Sequence, residues 1–188
     1  MNRKLMALCV LTLVGCNSSA QRNWSTYGDG VGVHAKFPFQ PTVMGVPTPI
    51  PVGPGVLARS VSVGFSRSSP KDTPSPVSLS NASERTRTDI ATMAVFVHEY
   101  PADKGAADIG RAESGVVPQN APPATKVKDP SGVDWQEWTY TGGQPGGTPV
   151  VFHQRACVQG KKGYLIQLSG TFEPDELQYF YDNVVIDK

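Results

Sequence analysis

His153, Arg155 and Cys157 alternate along one stretch of the chain. In an extended strand they project from the same side, opposite Val150, Phe152, Ala156 and Val158. A cysteine whose thiolate is stabilised by a nearby arginine and histidine is a reactive nucleophile. The spacing speaks against that chemistry. Residues two apart in a strand lie about 7 Å apart and His153 to Cys157 about twice that, so direct Cys–His contact is not expected. A lone packed cysteine fits better. His34, His98 and His153 fall on three separate candidate strands with no local ligand spacing, which predicts no metal site. Asp129, Asp134 and Glu137 form no recognisable acid–base pair and read as solvated faces. The glycine-rich stretch 142–147 lacks the Lys-Ser/Thr and helix that a phosphate cradle needs and reads as a hairpin loop. No nucleophile elbow, zinc-protease helix, paired-cysteine or calcium-loop pattern occurs, so neither an enzyme nor a cofactor is expected. Trp135, Trp138 and Tyr140 form the densest aromatic cluster. Trp138 and Tyr140 share one strand face and Trp135 takes the other. Either set can be core, and a bare face would be a platform for ligand or partner, with Trp138 and Tyr140 as contacts.

The elements that must carry these residues are mostly strands. Val31, Val33, Ala35 and Phe37 alternate with Gly32, His34 and Lys36, and Val61, Val63 and Phe65 repeat the pattern. Residues 90–100 are apolar on both parities, as in a strand covered on both faces. Three further strands are predicted at 133–140, 150–158 and 163–169. The connections at 142–147 and 159–162 contain glycine and make their neighbours antiparallel, with Lys161 and Lys162 at a hairpin tip. Residues 103–114 read as a short helix. Pro174, with Leu177, Phe180, Tyr181 and Val184 at i, i+3, i+4 and i+7, predicts a final amphipathic helix. Between Pro38 and Gly55 stand six prolines, predicting an extended surface loop over 38–55 rather than sheet. Residues 66–84 read as a second loop and 115–123 as a connector.

The N-terminus sets the location. Arg3 and Lys4 precede an apolar run from Leu5 to Val14, too short to span a bilayer, as in a secretory leader. Leu13-Val14-Gly15-Cys16 resembles the lipobox of bacterial lipoproteins. That resemblance implies cleavage after Gly15 and thioether-linked diacylglycerol with fatty-acyl chains on Cys16. With each buried methylene contributing ~0.8 kcal/mol, two or three acyl chains make the anchoring essentially permanent. Asn17 in place of Asp favours, by the same resemblance, a periplasm-facing outer-membrane address in a cell that has an outer membrane. The expected organisation is a leader at 1–15, a lipidated tether at 16–23 and one domain over 24–188. Removing the leader leaves 188 − 15 = 173 residues, with 17 − 2 = 15 basic against 16 acidic side chains, a formal charge near −1. That balance argues against nucleic acid as partner. Cys9 leaves with the leader and Cys16 is consumed by lipid, so Cys157 has no intramolecular disulfide partner.

The order of elements carries a second resemblance. A Phe37-Pro38-x-x-Pro41 strand end is followed by a tryptophan-bearing strand, a hairpin whose second strand opens with Gly163-Tyr164, and a terminal helix with Tyr179-Phe180-Tyr181-Asp182-Asn183-Val184. This resembles the PsbP/DcrB-like domains, which implies an α+β fold, an antiparallel β-sheet flanked by helices as an α/β/α sandwich. The resemblance also implies an accessory or docking role on a larger envelope assembly. A small-molecule or glycan binding module is the alternative.

Overall fold

A computed structural model describes residues 23–67, 69, 73–77, 90–142 and 149–187. It is an α+β structure, mostly antiparallel sheet, with two helices among the described residues. The central strands are β5 (Val56–Ser66), β7 (Ile90–Glu99), β11 (Lys162–Ser169), β10 (Val150–Gln159) and β9 (Asp134–Gly142), neighbours in that order, with β8 (Thr125–Lys128) closing one edge. A smaller sheet is formed by β1 (Ser25–Tyr27), β2 (Val33–Phe37) and β12 (Val185–Ile186). Helix α1 is Ala106–Ser114 and α2 is Pro174–Asp182.

The period-two patterns become two faces of the large sheet. Val61, Val95, Ile166 and Arg155 are successive partners across four strands. One residue on, Ser62, Ala94, Gln167, Gln154 and Trp138 form the corresponding row on the opposite face. The first face packs against β2 and α2, burying Val33, Ala35, Phe37, Phe180 and Tyr181 with Met93, Val95 and Ile166 in one core. The second carries a smaller cluster of Trp138, Ala156 and Leu165, with Phe96, Val117 and Tyr140 against it. Strand β7 is buried from both sides, as its apolar residues on both parities require. Helix α1 lies over β10 and β11. Helix α2 begins at Pro174, and its Phe180 meets Phe37 edge-on at 5.4 Å.

The proline-rich reading needs correction. Residues 38–55 are not a free surface loop: β3 (Thr42–Met44) and β4 (Ile50–Gly53) both pair with β5, on the side away from β7. With β6 (Ser75–Val77), which falls in the stretch read as a second loop, they lie end to end along β5. The segment is one interrupted hairpin arm, broken between Gly45 and Pro49. Proline is tolerated there because an edge strand has no neighbour asking for its outer N–H.

Strand β8, which follows the connector 115–123 and was not predicted, is fixed by Asp129. Its Oδ1 accepts from Ser131 Oγ at 2.7 Å and the Val133 N–H at 2.9 Å, and its Oδ2 accepts from Trp135 Nε1–H at 3.0 Å. Asp129 is therefore a turn-former rather than a solvated face. Burial works to raise its pKa, but donors from Trp135, Ser131 and Val133 outweigh it and hold the carboxyl below the ordinary range.

At the C-terminus β12 clips onto β2 beside His34, whose Nδ1 lies 2.7 Å from Asp187 and Nε2 2.8 Å from Asp29. Only the doubly protonated ring donates to both carboxylates. The bonds to Asp29 and then Asp187 raise the His34 pKa above its ordinary value. A raised folded pKa gives stability that is full below about pH 6.5 and lost as pH climbs through the folded value. Protection of the Val185 and Ile186 amides in hydrogen exchange, corrected for intrinsic rate, should therefore fall with rising pH above about 6.5. His34→Gln should flatten that dependence, and an unchanged slope would remove His34 as its cause.

Candidate functional site

The residues singled out for chemistry lie apart. His34 pairs with Asp29 and Asp187, His98 Nδ1 lies 2.8 Å from Glu113, and His153 Nδ1 lies 3.1 Å from Thr139 Oγ1. Among the described residues no group of three or more His, Cys, Asp or Glu side chains is arranged to hold a metal. His153, Arg155 and Cys157 share a sheet face, each with its own surroundings. The Arg155 guanidinium sits 3.6 Å over the Tyr181 ring with Nε donating to Glu137 at 2.5 Å, and the His153 ring stands 6.3 Å from Phe172. Glu137, read as a solvated carboxylate, is thus the partner of a buried arginine. Burial lowers the His153 pKa, against the Glu137 charge.

Cys157 is buried in the main core. Burial first, then the Asp129 and Glu113 charges, push its thiol well above the ordinary range. Only the thiolate reacts. In the chain from residue 16 with Cys16→Ser, where Cys157 is the one cysteine, alkylation at pH 8 should run at least about a hundredfold slower in the native protein than in denaturant. Equal rates would mean that the thiol is open to solvent.

The aromatic trio divides as its parity dictates. Trp135 enters the main core and Trp138 the smaller cluster, leaving Trp138 only 7% exposed. Tyr140 is half-buried, stacked on Phe152 with centroids 5.3 Å apart and rings 12° from parallel, and its hydroxyl donates to Gln154 Oε1 at 2.6 Å. Burial raises the Tyr140 pKa. The accessible aromatic surface here belongs to Tyr140 and Phe152 rather than Trp138.

One polar constellation escaped the sequence reading. Glu113 of α1, only 2% exposed, accepts at Oε1 from His98 Nδ1 and the Tyr100 hydroxyl, each at 2.8 Å. Burial and the Glu113 carboxylate raise the Tyr100 pKa. Gly163 makes the room, since a Cβ there would stand 2.0 Å from Glu113 Oε1. Beside this lies a cavity of about 140 Å3 lined by Gly110, Glu113, Asp134, Gln136, Ala156, Cys157 and Val158. That is below the ~300 Å3 at which drug-sized ligand pockets begin. Three polar residues and a glycine separated in sequence by up to sixty-odd residues meet here through the register of β7 and β11, which no local spacing signals.

Among the described residues, six of the nine exposed large hydrophobic side chains lie on the proline-rich edge. Val43, Met44, Val46, Ile50, Val52 and Leu57 are all exposed, Met44 by 49% and Val52 by 57%. No charged side chain occurs between Lys36 and Arg59. Single exposed apolar residues are ordinary, whereas six along one uncharged sheet edge, Val43 and Met44 turned to opposite faces of it, mark that edge as a contact surface. Gly45 holds the arm close to β5, with φ +77° and a would-be Cβ only 2.5 Å from the Ala58 carbonyl oxygen.

The lipidation residues Gly15 and Cys16 lie outside the described residues. No helix among the described residues is long and apolar enough to cross a membrane. The chain matches no protein-family model and no curated protein.

Proposed function

We propose that the protein is a membrane-anchored lipoprotein of the cell envelope, held by acyl chains on Cys16. Its α+β domain serves as a non-enzymatic accessory or docking module. The observation that carries the docking half is the uncharged apolar edge at residues 43–57, where five exposed hydrophobic side chains of the arm stand with Leu57 of β5 and prolines keep the arm from adding further strands. The anchoring half is supported by the Leu13-Val14-Gly15-Cys16 box behind a basic and apolar leader. A PsbP/DcrB-like arrangement is supported by α1 contacting β10 and β11 while Tyr181 of α2 packs on Arg155. With Asn17 after the cysteine, the address in a cell that has an outer membrane is its periplasmic side.

Crosslinking the native envelope, affinity-purifying the lipidated chain and identifying what co-purifies tests this reading. Recovery of an envelope component that depends on both Cys16 and an unmodified Val52 is the expected result. Recovery that is unchanged by Cys16→Ser and Val52→Glu would contradict it.

The half-buried, parallel Tyr140–Phe152 pair favours a second reading, a small-molecule or glycan module using Tyr140, with Trp138 beneath it as the packed support. Saccharide-induced shifts in the Tyr140 and Phe152 ring resonances would support it, and spectra indifferent to a saccharide panel would remove it.

A further inference from the structure

We infer that the occupant of the apolar edge is the lipid bilayer itself, a partner assignment that rests on the docking reading of residues 43–57. The first ground is where the tether leaves the fold. Ser25 pairs with Phe37, so the chain enters the domain beside the residue from which the proline-rich arm departs. From Phe37 to Val43 the chain spans at most roughly 20 Å, and the seven residues 17–23 span at most roughly 24 Å. The turn before β2 also touches the arm, because a Cβ at Gly30 would lie 2.9 Å from Val46 Cγ1. An anchor at Cys16 therefore leaves this edge within reach of the membrane.

The second ground is chemical. Val43, Met44, Val46, Ile50 and Val52 bring no charge of their own to an apolar boundary, none lying between Lys36 and Arg59 in the sequence, and Arg59 beside them on β5 is paired with Glu99. The third is what the edge refuses. Pro41, Pro47, Pro49 and Pro51 withhold N–H donors along it, so neither a partner strand nor the same edge of a second copy finds a full ladder there. Contact falls to side chains, and its strength should be indifferent to headgroup charge.

The test uses the chain from residue 16 onward with Cys16→Ser, which contains every described residue. It is mixed with vesicles of phosphatidylcholine alone or of phosphatidylethanolamine and phosphatidylglycerol. We expect measurable partition into both, unchanged by about 0.5 M salt. Met44→Glu/Val52→Glu should lower the partition coefficient at least about tenfold, while Val151→Glu, at an exposed position on β10, should leave it unchanged. Absence of binding, or equal binding by the two variants, overturns the proposal. So does a dimer that Met44→Glu/Val52→Glu dissolves without vesicle binding, or binding confined to native envelope vesicles and lost when their proteins are stripped. The mass of the residue-16 peptide from native cells is read separately. An unlipidated Cys16 alongside intact vesicle binding would sink the anchor and spare the edge.

Discussion

Truncating Phe180 to alanine should lower the unfolding free energy by about 3–5 kcal/mol, the range for deleting a fully buried phenylalanine. Phe180 has no exposed surface and sits where α2 meets the small sheet, edge-on to Phe37 at 5.4 Å and 6.4 Å from Trp24. The side chains around it come from three separate elements, so the space cannot collapse without moving a helix against a strand. In a protein of this size the loss should appear as a fall in Tm of roughly 10 °C. Gln178→Ala, on the exposed side of the same helix, should stay within about 1 kcal/mol of the parent. A cost below about 1 kcal/mol for Phe180→Ala would mean that α2 does not pack on the core in this way.

Gly163→Ala should cost about 2–4 kcal/mol, far more than one added methyl group ordinarily does, from overpacking combined with broken buried hydrogen bonds. The new Cβ would meet Glu113 Oε1 at 2.0 Å and its Cδ at 2.5 Å. The carboxylate is pinned by His98 and Tyr100, so it can leave only by giving up both donors. The decisive comparison is a double-mutant cycle. In a Glu113→Ala background the clash is gone, and Gly163→Ala should then cost less than about 1 kcal/mol. Equal costs in both backgrounds would show that Gly163 is required for its backbone rather than for the room it leaves to Glu113.

The sheet was legible because its burial is periodic. Alternation over 31–37 and 61–65, with apolar residues on both parities at 90–100, gave three of the strands and named β7 as the one covered on both faces. The terminal helix was legible from Pro174 and the i, i+3, i+4, i+7 series ending at Val184. What escaped were elements held by pairing alone. β3, β4 and β6 are three or four residues long, β4 and β6 each containing a proline, and they exist because the eleven-residue β5 offers an unpaired edge. β8 depends on Asp129 reaching Trp135, although Asp129-Pro130-Ser131-Gly132 was a turn signal. The candidate contact surface was half legible. Its prolines were visible in the chain, but the exposure of Val43, Met44 and Val52 follows only once the arm is laid along the outside of β5. The Glu113 cluster was not legible, since an acidic residue near the end of a short helix gives no sign that a glycine on β11 will admit it to the interior.

The central claim about where the protein works is that Cys16 is the anchor. It is tested most directly by the intact mass and detergent-phase partition of the protein expressed in a bacterial envelope, beside its Cys16→Ser variant. The account predicts a chain that begins at Cys16, carries the added mass of diacylglycerol and a fatty acyl group, and enters the detergent phase, with the variant remaining in water. A chain whose Cys16 bears a free thiol, or whose residues 1–15 are still attached, would contradict it.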